Sequence, residues 1–218
     1  ESSGGMVHAY GLAAAQLARI KEAGLNLTVC IDKVAASGGY MMACVADKIL
    51  AAPFAVVGSI GVVAQVPNFH DLLEKHDIDV EVFTAGKYKR TVTVFGENTE
   101  EDKQKFQQEL EETHKLFKDF VRKYRPSLDV EQVATGEHWY GEDAITRNLV
   151  DALQTSDSYI LEKMTDSELY AIQSRQKPTI AQKLGISQAA QAVVATAIDK
   201  LPDTLAKLES AKMPMVKK

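Results

Sequence analysis

Cysteine is scarce in this chain: Cys30 and Cys44 are the only two, they share no C-x-x-C spacing, and both sit in apolar runs where a thiol packs as a small hydrophobe. The pair is silent on redox compartment, and neither a metal nor a cofactor is expected. Long uninterrupted apolar runs are missing too. The longest, Ile49 to Val66, is broken by Pro53, Gly58, Ser59 and Gly61, so it reads as buried strands and not as a membrane span. Basic charge is in deficit: the net charge is -5 and no basic stripe is present, which argues against a nucleic-acid partner, whose phosphates need clustered Lys and Arg. Three lysines in the last eleven residues read as a solvated tail. No initiating Met or signal-peptide pattern opens the chain, and the turn Glu1-Ser2-Ser3-Gly4-Gly5 calls for a strand before it, so an N-terminal part is expected to precede this segment.

With 218 residues, 45% of them hydrophobic and 25% charged, the chain can bury one substantial core. Residues 7–23 carry Ala, Leu and Ile at helical spacing and stop at Gly24, a natural cap. An apolar strand over 27–31, a small-residue turn over 35–39 and an Ala/Met-rich helix from about Tyr40 to Ala46 follow. Short strands are expected at 48–51, 56–60, 62–65 and 80–85, with a helix at 68–75 between them. Thr99 and Asp102 make a capping box for a long helix whose apolar stripe is Phe106, Leu110, Phe117, Val121 and Tyr124, stopped by Pro126. A loop from Thr135 leads into a short helix near Ala144, with Leu149 and Val150 in the core, a helix near 159–164 and a strand near 169–172. The alternation predicts an α/β domain over 1–176, and the Ala/Gln-rich residues 177–218 a C-terminal amphipathic helical extension, which could make an oligomer contact.

Ser37 lies where a strand stops and a helix begins, beside Gly38 and Gly39. Such a turn lets a hydroxyl stand clear of the sheet, and the amide of Gly38, with a second from Gly4 or Gly5, is placed for an oxyanion. The same small residues equally serve close helix packing, and the residues alone leave both readings open. A serine nucleophile needs a base, commonly histidine. None occurs between Tyr40 and Phe69; His76 and His114 read as surface residues of charged helices, and His138 beside Trp139 as structural. Lysine is the other known base, and Gly86-Lys87-Tyr88-Lys89-Arg90 follows the expected strand 80–85, which would deliver its side chains to the end of the sheet. Bringing a lysine from its ordinary pKa near 10.4 to about 7 takes roughly 4–5 kcal/mol, within reach of burial. Ser59 could orient such an amine, while an exposed basic turn remains the alternative for Lys87, Lys89 and Arg90.

The ordered set Ser3-Gly4-Gly5, Ala35-Ala36-Ser37-Gly38-Gly39-Tyr40, Gly58-Ser59-Ile60-Gly61-Val62, Gly86-Lys87-Tyr88-Lys89, Gly136, Gly141-Glu142-Asp143-Ala144 and Leu149-Val150-Asp151 resembles the signal-peptide-peptidase A family of Ser/Lys peptidases, family S49, and most closely its SohB-type bacterial branch. The resemblance covers about Ser2 to Ala152. It implies a ClpP/crotonase-like fold of repeated ββα units around a twisted, mostly parallel sheet. It also implies Ser37 as nucleophile, Lys89 as base (89 - 37 = 52 positions on, with Lys87 in reserve), Ser59 as positioner of the amine, and Gly4 or Gly5 with Gly38 as oxyanion hole. Substrates would be signal-peptide remnants or other hydrophobic, unfolded segments. The resemblance further implies a homo-oligomer in which the dyad can be shared between subunits, and an N-terminal anchor holding a periplasmic catalytic domain at the bacterial inner membrane. Two departures are noted: Ser3 stands where the family often has Pro, and Asn148 where Gly is common.

Two other classes compete. A crotonase-like acyl-CoA enzyme would use the same glycine amides on a thioester enolate but leave Ser37, Ser59 and Lys89 idle. A scaffold that kept the fold and lost the chemistry is the other.

Overall fold

The computed structural model describes residues 1–172; the helical extension expected over 177–218 lies outside them. Residues 1–168 form one compact unit, and a second unit begins at Leu169.

Helix α1 (Val7–Glu22) ends where the sequence places its cap: Gly24 takes φ +77°, and the amides of Ala23, Gly24 and Leu25 bond back to Arg19, Lys21 and Ile20. Strand β1 (Thr28–Ile31) turns at Asp32-Lys33 into β2 (Val34–Ala36), which leads through Ser37 into α2 (Gly38–Ala43). The pattern repeats as β3 (Lys48–Ala51), a turn at Pro53 and β4 (Val56–Gly58). Two corners therefore carry the chain from one sheet to another. The first sheet pairs β1 with β3 in parallel, Thr28 opposite Lys48 and Ile31 opposite Ala51. The second pairs β2 with β4 in parallel, Ala36 opposite Gly58, and Ser2 bridges to Ala35 on the far side of β2. This register has a functional consequence: the residues that follow the two strand ends, Ser37 and Ser59, emerge side by side, and the Ser37 amide donates to the Gly58 carbonyl at 2.8 Å.

After β4 the chain makes an excursion containing α3 (His70–Glu74) and returns to α4 (Glu100–Tyr124). The capping box is formed in both directions, with the Asp102 amide donating to the Thr99 hydroxyl and the Thr99 amide to the Asp102 carboxylate. The stripe on α4 sinks toward its C-terminal end: Phe106 and Leu110 are half-buried, Phe117 and Val121 fully buried. Then come α5 (Val130–Val133), β5 (His138–Tyr140), α6 (Gly141–Thr146), β6 (Ala152–Leu153) and α7 (Ser156–Lys163). Strand β6 adds to β3 in parallel and β5 to β4 antiparallel.

Small residues set the layer spacing. Ala14 and Ala18 let α1 lie close on α2, and a side chain at Gly38 would run into the Tyr10 ring. Tyr40, fully buried, donates its hydroxyl to the Leu149 carbonyl at 2.9 Å and joins α2 to the β6 approach. Arg125, at the end of α4, is 7% exposed and donates to both carboxylate oxygens of Asp151 and to the Asn148 carbonyl, while Asp151 also accepts from the Ile49 amide at 2.7 Å. Burial opposes the ionised form of Asp151, but these donors win and hold its carboxyl below the ordinary range. At the β1–β2 corner Asp32 accepts from the hydroxyl and amide of Ser156, which lower its pKa and fasten the start of α7.

Several expectations are corrected. Ala35-Ala36 is strand, not turn, and α2 starts two residues earlier than expected. Residues 62–65, 80–85 and 169–172 form no strand. Val80 and Val82 alternate with Asp79 and Glu81 at strand period, but no neighbouring strand completes the pairing, and Val82 is 49% and Phe83 88% exposed. Conversely, His138–Tyr140, expected as loop, is a strand because β4 offers it an edge.

Candidate active site

Ser37 occupies the junction between β2 and α2 with φ 53° and ψ -121°, a region that L-residues avoid. The conformation is imposed from both sides: its amide is bound by Gly58, and its carbonyl accepts from Met41 in the first turn of α2. Gly38 opens the helix, so its amide has no intrahelical acceptor. Gly4 lies against this corner with φ +91°, and a Cβ built on it would come within 2.8 Å of the Gly38 nitrogen, the Ala36 oxygen and the Ser37 Cβ. Only glycine fits there. Gly39 is equally confined, since a side chain on it would strike the Ser2 carbonyl.

Ser59 repeats the feature at the end of β4: its φ is 51°, and its amide donates to the Glu137 carbonyl at 2.6 Å. Gly61 and Gly136 approach so closely that a Cβ on Gly61 would lie 3.0 Å from the Gly136 α-carbon. The resulting cavity of about 860 Å3 is walled by Ser37 and Ser59, by Ser3-Gly4-Gly5 and by Gly136, with Met6, Val7, Val62 and Val63 as its apolar side. Its size suits a bound ligand.

The expected site residues therefore divide. Ser37, Ser59, Gly4, Gly5 and Gly38 are brought together at one corner. Lys89 is not among them: it is exposed, its amide bonds to the Gly86 carbonyl at 3.1 Å, and it does not line the cavity. The strand that was to carry it to the sheet end is absent from 80–85. Lys87 is held by Glu101 at 2.7 Å, and that hydrogen bond raises its pKa, the wrong direction for a base. Among the described residues no lysine lines the cavity. The thiols offer no alternative nucleophile: burial pushes Cys44 up to about 12 and raises Cys30 as well.

Sequence reasoning missed His114. It is no surface residue but part of the cavity wall, and its Nε2 is sealed from solvent without a hydrogen-bond partner. Its signal was available: it stands four residues after Leu110 and three before Phe117, on the apolar stripe of α4. Thr135 also lines the cavity and donates its hydroxyl to Glu137 at 2.7 Å. No helix among the described residues is long and apolar enough to cross a membrane.

Comparison with known proteins adds an independent line. The sequence profile of peptidase family S49 matches residues 19–170. A probable protease SohB of Haemophilus influenzae is 65% identical over 185 residues, covering 85% of this chain and 52% of that protein. A second, from Buchnera aphidicola of Acyrthosiphon pisum, is 58% identical over 173 residues, 79% of this chain and 52% of that one. The chain thus spans about half the length of these relatives. Among solved structures, an enoyl-CoA hydratase/isomerase family member aligns with 97% of this chain and 60% of its own at 13% identity and a TM-score of 0.39.

Proposed function

The chain belongs to peptidase family S49, and from that premise we propose that it is the catalytic part of a serine endopeptidase in which Ser37 is acylated, Lys89 is the base and Ser59 orients the lysine amine. The observation that carries the reading is the strained Ser37 corner, with Gly4 and Gly38 packed against it at the mouth of an 860 Å3 cavity. In the reaction the Ser37 hydroxyl gives its proton to the neutral amine of Lys89 as Oγ bonds to the scissile carbonyl carbon. The amides of Gly38 and of Gly4 or Gly5 hold the oxyanion. The ammonium returns the proton to the departing amine as the C–N bond breaks, and water repeats the sequence on the acyl-enzyme.

Lys89 reaches Ser37 from a second copy of the chain in this reading. The excursion that carries it is closed at its base by Asn68, which donates to the carbonyls of Thr93 and Gly96, and it forms an arm outside the two sheets. The arm exposes Phe69, Leu72, Ile78, Val82, Phe83 and Phe95, apolar side chains whose surface a partner would cover. Docking the arm on a neighbour would bury that surface and remove Lys89 from water, which a lysine base requires. Substrates are apolar, extended segments such as signal-peptide remnants, matched to Met6, Val7, Val62 and Val63 on the cavity wall. The ClpP/crotonase-like arrangement of ββα units, anchorage at the bacterial inner membrane and a periplasmic catalytic domain belong to the same proposal.

Fluorophosphonate labelling tests it. Wild type is expected to label on Ser37, and Ser37→Ala and Lys89→Ala each to lose labelling. A mixed assembly of the two variants should recover part of it, since some sites then combine an intact serine with an intact lysine. Undiminished labelling in Lys89→Ala would remove that lysine from the mechanism.

A further inference from the structure

We propose that His114 is a substrate-positioning residue of the Ser37 cavity, its imidazole hydrogen-bonding the main chain of the bound peptide; this rests on the peptidase reading above. The imidazole shares the cavity wall with Ser37, Ser59, Thr135 and Gly136. Yet its Nε2 is closed off from solvent and has no partner. An unsatisfied buried nitrogen carries an uncompensated desolvation penalty, which a Leu at this point of the stripe would avoid. The other buried side-chain atom without a partner among the described residues, Nε of Arg125, belongs to a guanidinium that already makes three hydrogen bonds. His114 has no such compensation where its Nε2 is sealed, and a turn of the ring about Cβ–Cγ, which brings a nitrogen to the open cavity, gives it the main chain of a bound segment as partner.

The wall chemistry narrows what that partner is. Glycines and the apolar side chains of Met6, Val7, Val62 and Val63 select apolar substrate side chains. The polar atoms such a segment always carries are its own amides and carbonyls. An imidazole suits either, because it offers a donor and an acceptor, and rotation about Cβ–Cγ exchanges which nitrogen meets the cavity.

The test compares cleavage of an apolar model peptide with fluorophosphonate labelling of Ser37, using the assembled full-length protein. His114→Ala is expected to raise KM about tenfold, equivalent to about 1.4 kcal/mol, with kcat and labelling rate within about twofold of wild type, since the small probe carries no peptide main chain. His114→Gln, which keeps a donor and an acceptor, is expected to recover most of the loss. If His114→Ala fails to fold, His114→Leu replaces it with the same expected rise. An unchanged KM, a Gln variant as impaired as the Ala variant, or labelling that falls in step with cleavage would each overturn the assignment. A wild type that neither labels nor cleaves would overturn the peptidase reading and this inference together, an outcome distinct from an active enzyme indifferent to His114.

Discussion

Replacing Ser37 by glycine and by alanine should reverse the usual order of stability. At φ 53° and ψ -121° any residue with a Cβ pays a conformational cost of about 1–3 kcal/mol, which glycine escapes. Glycine loses about 0.5–1 kcal/mol in return, through the greater freedom of the unfolded chain. Ser37 is only half-buried, so its Cβ contributes little packing to set against this. On the midpoints of the two ranges the balance favours Ser37→Gly over Ser37→Ala by about 1 kcal/mol. For a folded unit of this size that is roughly 2–4 °C in melting temperature. Both variants lack the hydroxyl, so the comparison isolates the backbone. Paired thermal melts and urea titrations read it directly, and Ser59, with φ 51°, offers a repeat of the same comparison. A Ser37→Gly protein melting at or below Ser37→Ala would show that the corner is not strained and that strand and helix do not hold Ser37 in a disfavoured conformation.

Gly4→Ala puts a methyl 2.8 Å from the Gly38 nitrogen at a φ of +91°, so labelling of Ser37 should slow by about a hundredfold, whereas Gly11→Ala, in open space on α1, should leave labelling unchanged and raise stability by about 1 kcal/mol. Asp151→Asn leaves the Arg125 guanidinium, 7% exposed, without its counter-charge; because Asp151 itself is partly solvated, the low end of the usual range applies, about 2–3 kcal/mol or roughly 4–12 °C by thermal melt. The carboxyls of Asp151 and Asp32 are held below their ordinary values, so their contribution is complete above the unfolded pKa near 3.9 and is lost as pH falls through the lower folded values. Urea midpoints should therefore hold from neutrality to about pH 4 and then drop, less steeply in Asp151→Asn.

Local signals were legible where one segment settles its own conformation. Gly24, the Thr99–Asp102 capping box and the stop at Pro126 mark helix ends through hydrogen bonds that close within a few residues, and all three hold. The Ser37 junction was legible for the same reason. What escaped depended on distant partners. Val80 and Val82 have strand chemistry but no strand to pair with, while His138–Tyr140 has loop-like neighbours and pairs because β4 presents an edge. The division into two sheets is hidden in two corners, at Asp32-Lys33 and Pro53, that look like ordinary turns. His114 was passed over because the charged residues beside it on α4 outweighed its place on the stripe.

The two halves of the site differ in how they are held, and the difference follows from the topology. Ser37 and Ser59 both occupy disfavoured backbone regions, each pinned by an amide bond to the neighbouring chain, to Gly58 and to Glu137 respectively. Parallel pairing of β2 with β4 fixes their separation, so the corner proposed to be acylated is set once this core has folded. Lys89, the proposed base, lies on an arm held by Asn68, by Lys87 with Glu101 and by stacking of Phe69 on Phe95, with several apolar side chains exposed. In that proposal a partner surface, and not the small core of the arm itself, sets the lysine amine. Under the proposed mechanism, a serine whose base is delivered by assembly would leave the lone chain inert.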